Sequence, residues 1–98
     1  IDVEGFEEEV LTGGWQTITA WRPVMLVELI ERLRPGCLDR VVARLGAEGF
    51  FPRFLDQGAW LPLSRLGPGE IGPSGRFIVN FLFVPKEKGA VIGASAGA

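Results

Sequence analysis

The chain has 98 residues, a formal net charge of −2 and no histidine. That length makes one small domain with a modest core. The weakly acidic balance lacks the basic face that nucleic-acid binding needs, and the missing imidazole removes the commonest general base and metal ligand. The single cysteine, Cys37, has no partner for an internal disulfide, which fits a reducing compartment and gives a cytoplasmic expectation. No apolar run approaches the ~20 residues that cross a bilayer, so neither a membrane nor a nucleic acid is expected as a partner.

Residues 1–4 read as the tail of a strand, with Asp2 and Glu4 alternating with apolar neighbours. A strand met at its exit implies a longer protein whose preceding half matters for function. Gly5 supplies a turn where the backbone can approach a ligand or take a positive φ. Residues 6–11 read as a short helix, with Glu7, Glu8 and Glu9 where negative charge complements the helix dipole. Gly13 and Gly14 break it. Trp15, Ile18 and Trp21 recur at near-helical spacing. They predict a second short helix, ending by Arg22 because the residue before Pro23 avoids the helical region. The three tryptophans, Trp60 included, are expected to pack rather than to form a substrate platform.

Residues 24–30 are apolar on both faces except for Glu28, the pattern of a central strand covered on both sides. Arg34, Pro35 and Gly36 make a turn. Leu38, Val41, Val42 and Leu45 then mark one buried helix face, with Asp39, Arg40 and Arg44 opposite and Gly46 or Gly49 at the end. Cys37 is expected as a small residue opening that helix. Residues 50–55 read as a strand and 59–63 as a short continuation. Residues 64–76 are rich in Gly and Pro, a long loop expected to be a mobile flap or poorly ordered. Residues 77–84 form the most apolar strand, stopped by Pro85, with Asn80 expected as a satisfied buried amide. Residues 89–98 are small and uncharged, and are expected to be a disordered tail.

The element order is α/β. The first two strands are expected to be parallel neighbours. The last two lack an intervening helix and are expected to pair antiparallel at one edge. Ligands in open α/β sheets bind beyond the carboxyl ends of parallel strands. Asp2, Glu4 and Glu28 would then share one rim. Each also has a structural reading. Asp2 suits a cap, Glu4 an arginine across the rim, and Glu28 a buried ion pair with Arg22 or Arg32. Glu7 reads as a helix-start charge.

Asp2-Val3-Glu4-Gly5-Phe6-Glu7, Val10-Leu11-Thr12-Gly13, Arg22-Pro23-Val24-Met25-Leu26-Val27-Glu28, Gly49-Phe50 and Asn80-Phe81-Leu82-Phe83-Val84-Pro85 stand in this order. Together they resemble the C-terminal half of FkbM-type methyltransferases, over residues 1 to about 86. Gly13-Gly14 and the Gly/Pro-rich insertion before the last strand depart from that pattern. The resemblance implies the C-terminal half of a Rossmann-like methyltransferase sheet, parallel strands plus a terminal antiparallel hairpin. It places residues 1–88 in such a domain, with the N-terminal cofactor-binding half absent and therefore an expected partner. The implied activity is S-adenosylmethionine-dependent methyl transfer to a hydroxyl on a small natural product or sugar. Asp2, Val3 and Gly5 would touch the cofactor. Asp2, Glu4 and Glu28 would be catalytic, as a general base or in positioning the acceptor. Magnesium held by the carboxylates ranks below that reading, and no metal site is assigned. The chain alone is expected neither to bind S-adenosylmethionine tightly nor to catalyse transfer. Two other readings compete: a non-catalytic module pairing through an exposed sheet edge, and a different α/β enzyme with a carboxylate-bound metal.

Overall fold

The computed structural model describes residues 7–92, so the predicted strand at residues 1–4 and the end of the tail at residues 93–98 lie outside the described residues. The two short helices form as their spacing requires: α1 spans Glu7–Gly13 and α2 spans Trp15–Trp21. Arg22 closes α2 in a left-handed conformation, φ 49°, and its N–H donates to the Ile18 carbonyl. The side chain stabilises this turn from outside. Nε donates to Glu87 Oε2 at 2.6 Å, Nη1 donates to the Glu48 carbonyl at 2.6 Å, and the guanidinium lies 4.9 Å from the Phe50 ring centroid.

Strand β1 is Met25–Glu28 and helix α3 is Cys37–Gly46. The α3 face is the one its periodicity marks: Leu38, Val41 and Leu45 are buried, and Cys37 opens the helix. Strand β2, Phe50–Asp56, turns back through Gln57 and Gly58 into β3, Ala59–Pro62. Both turn residues have positive φ, 49° and 82°, the geometry of a two-residue hairpin turn whose twist matches its strands. The stretch predicted as a continuation of β2 is thus its antiparallel partner. Strand β4 is Asn80–Pro85, and a 3-10 segment, Lys86–Ile92, follows it.

Among the described residues the sheet order is β1-β4-β2-β3, and each of its pairings is antiparallel. This corrects the expected Rossmann-like arrangement of parallel strands with a terminal hairpin at the edge. β4 does not sit at an edge. It inserts between β1 and β2, where Phe81 and Phe83, both fully buried, gain neighbours on two sides. The connection from β3 to β4 is long enough to carry the chain past its own hairpin and back into the middle. β1 and β2 consequently run the same way without touching through hydrogen bonds.

Paired residues share a face. Met25, Val27, Phe50, Phe54, Phe81 and Phe83 therefore line one face, and with Leu38, Val41 and Leu45 of α3 they form the core. On the opposite face Leu26, Phe51 and Leu55 are exposed. β1 thus alternates, buried then exposed, rather than being covered on both sides as its apolar run predicts. Asn80 is exposed rather than a buried amide, and Trp21 is also exposed, so the packing expected of it is not observed.

The Gly/Pro-rich loop, expected as a mobile flap or a poorly ordered stretch, carries hydrogen bonds of its own. Isolated bridges join Gly67 to Ile71 and Ile71 to Phe77. Gly72 N–H donates to the Arg76 carbonyl at 2.9 Å, and Ile78 N–H donates to the Glu70 carbonyl at 2.9 Å. Its anchor is Asp56, at the end of β2, whose carboxylate accepts Ser74 N–H at 2.9 Å and the Ser74 hydroxyl. The approach is so close that a Cβ on Gly72 would lie 2.5 Å from Asp56 Oδ2.

Candidate functional site

Of the predicted site residues only Glu28 falls within the described chain; Asp2, Val3, Glu4 and Gly5 lie outside the described residues. Glu28 ends β1, half-buried, in register with Asn80. Its side chain belongs to the same face as Leu26, away from the α3 core. The next residue, Leu29, donates its N–H to the Val79 carbonyl at 2.8 Å, which continues the β1–β4 pairing one step past the strand. The chain then opens into a cleft of about 480 Å³, lined by Ile30, Glu31, Arg32, Glu70, Phe77, Ile78 and Val79. That volume lies within the usual range for small-molecule sites, roughly 300–1,000 Å³.

The cleft has two kinds of carboxylate. Glu31 is fully engaged. Oε1 accepts Gly36 N–H at 2.9 Å, while Oε2 accepts Leu38 N–H at 2.8 Å and the Cys37 thiol at 3.3 Å. It caps α3 from outside the helix, filling the donors that Gly36, at φ 81°, has no side chain to satisfy. The Leu38 hydrogen bond, more than any other contact, holds its carboxyl below the usual carboxylate range. The Cys37 thiol is pushed the opposite way, up to about 12, chiefly by burial and then by Glu31. A thiol so protonated is no nucleophile.

Glu70 is the unengaged one. It is half-buried, and its carboxylate has no hydrogen bond or ion pair among the described residues. Its backbone is left-handed, φ 59°, directly after Gly69 at φ 70°. A non-glycine residue held there costs on the order of 1 kcal/mol. The bridges around Ile71 and the Ile78 hydrogen bond hold it in place. Burial pushes its carboxyl above the usual range, and the charges of Glu31 and Asp39 push it further. Phe77, also in the lining, is 77% exposed, a bare ring. Arg32, also exposed, is the one cation in the lining and has no partner among the described residues.

The other arginines of this end are committed. Arg40 pairs with Glu8 at 2.7 Å and Arg34 with Glu9 at 2.7 Å, tying α1 to the turn before α3 and to α3 itself. Arg44 Nη1 donates to Thr12 Oγ1 at 2.7 Å and lies 4.2 Å over the Trp15 ring. Sequence reasoning missed Glu31, Glu70, Phe77 and Asp56. For Glu70 the available signal was an acid following glycine in a turn-rich stretch. For Phe77 it was an aromatic two residues past Gly75 at the loop's exit.

Comparison with protein-family models, curated proteins and solved structures finds no match to this chain. Among the described residues no group of three potential ligands could hold a metal ion, and no helix is long and apolar enough to cross a membrane.

Proposed function

We propose that this chain supplies the acceptor side of an S-adenosylmethionine-dependent O-methyltransferase acting on a small hydroxylated molecule, in the cytoplasm. Methyl transfer itself is argued from the sequence blocks resembling FkbM-type enzymes. The observation in favour of an acceptor site is the cleft directly past the carboxyl end of β1, the strand that closes on Glu28. An in-line displacement needs the acceptor oxygen held close to a sulfonium methyl and aligned with it. Glu28, with Asp2 and Glu4, would take or orient the hydroxyl proton. The cleft would hold the rest of the molecule, with Ile30, Val79 and Phe77 as apolar walls and Glu70 as a polar contact. On this reading the cofactor is held largely by sequence other than these 98 residues.

The test is isothermal titration with S-adenosylmethionine of the longest natural polypeptide containing this sequence, beside the 98-residue chain. The proposal expects binding by the longer polypeptide and none at micromolar concentration by the chain. Absence of binding by the longer polypeptide overturns it.

One observation favours a second reading, a non-catalytic module. Leu26, Phe51 and Leu55 leave an apolar sheet face exposed, and among the described residues β3 ends the sheet on one side. A module of this kind would self-associate at micromolar concentration in light scattering; a monomer at all concentrations rules it out.

A further inference from the structure

We propose that the cleft past β1 recognises an organic cation: a protonated amine on an apolar, hydroxylated body, with the ammonium on the Glu70 carboxylate and the body against Phe77, Ile30 and Val79. The inference rests on the acceptor reading above and names the class of acceptor. It starts from an imbalance. Glu70 is half-buried and carries no donor partner among the described residues, whereas Glu8 has Arg40, Glu9 has Arg34, and Glu31 has three donors from the start of α3; Asp39, also without a partner there, is exposed to water. A carboxylate partly removed from water and left unpaired is costly, and a charged donor offsets that cost best.

The field around Glu70 points the same way. Glu31 and Asp39 both act on it, so the polar wall carries an excess of negative charge that a cation would relieve and an anion would worsen. The exposed Phe77 ring completes the arrangement. An ammonium near an aromatic face gains from the ring's quadrupole, and the ring covers the apolar part of the same ligand. Ile30, Ile78 and Val79 give the remaining wall no polar side chain. Arg32 opposes a cation, but it stands in solvent at the rim, where water and salt screen it more than they screen groups inside the cleft. Its expected effect is to weaken binding of an amine slightly.

The experiment is titration of the 98-residue chain, without cofactor, against three probes sharing one ring and hydroxyl: tyramine, 4-ethylphenol and 3-(4-hydroxyphenyl)propanoate. Tyramine should bind at least roughly tenfold more tightly than 4-ethylphenol, with the propanoate weakest, the order expected of a charge-assisted contact. E70Q should erase the preference for the amine, F77A should weaken both tyramine and 4-ethylphenol, and R32Q should tighten tyramine a few-fold. Equal affinities, a preference that survives E70Q, no binding by any probe, or tighter binding of the propanoate with its loss in R32Q would each overturn the proposal. Should E70Q fail to fold, the probe order on the wild type and the direction of the R32Q change still decide. Since no cofactor is present, an amine preference alongside failed S-adenosylmethionine binding in the longer polypeptide would remove the transferase reading and leave this one standing. The reverse pair of results would remove this one alone.

Discussion

Replacing Glu31 with alanine should destabilise the fold through one helix end. The carboxylate accepts two backbone N–H groups, at 2.9 and 2.8 Å, and the Cys37 thiol at 3.3 Å. Losing an N-terminal cap costs about 0.5–2 kcal/mol, and a charged acceptor serving two amides falls at the upper end of that range. The α3 face it fixes carries Leu38, Val41 and Leu45, so fraying of the first turn also exposes Leu38. About 2 kcal/mol corresponds to a melting temperature lower by roughly 10 °C for a domain of this size. Thermal melts followed by circular dichroism at neutral pH measure it. The sign of the pH dependence follows from the depressed carboxyl of Glu31. Its contribution is complete above the ordinary carboxylate pKa and is lost as pH falls through the folded-state value. The gap between wild type and E31A should therefore close in acid. A shift under about 2 °C at neutral pH, or a gap unchanged in strong acid, would refute the capping argument.

Phe54→Ala removes a fully buried ring and should cost about 3–5 kcal/mol in urea titration, whereas Phe51→Ala, on the exposed face, should cost no more than about 0.5. Equal costs would contradict the register. The Cys37 thiol, held up to about 12, should not react with a disulfide reagent in the native state and should react fully in urea. Arg22 holds the Glu87 carboxyl down to about 2, so the pair's contribution should be complete above the ordinary carboxylate pKa, decline progressively below it, and be gone once pH has fallen through that folded-state value. The pair is solvent-facing, so any deficit of E87Q should vanish in roughly 1 M salt. Asp56→Asn should speed hydrogen exchange at the Gly72 and Ser74 amides while leaving those of β1 protected.

Much of the fold was legible where periodicity carries the information. The stripe from Leu38 to Leu45 and the stop before Pro23 both depend on local chemistry, and both appear as read. Strand order was not legible, because it is decided by which strand gains most from two neighbours. Phe81 and Phe83 bury completely only if β4 enters between β1 and β2, and nothing local to residues 80–85 encodes that choice. The Gln57-Gly58 turn was misread because glutamine seldom adopts positive φ. It does so here ahead of a glycine that completes the hairpin. The loop's bonding was not legible for a related reason. Glycine and proline reveal a chain reversal but not the Asp56–Ser74 contact, which joins residues far apart in sequence and fixes it. Glu70 escaped notice because having no partner among the described residues is a property of three-dimensional surroundings rather than of residue type.

The most direct test of the acceptor cleft is labelled methyl transfer from S-adenosylmethionine to hydroxylated amines by the longest natural polypeptide containing this sequence, wild type against F77A. Phe77 is exposed enough that its truncation spares the core. Transfer by the wild type, with a raised acceptor KM and unchanged cofactor affinity in F77A, is the predicted result. No cofactor binding, or transfer with an acceptor KM indifferent to loss of the ring, would contradict it.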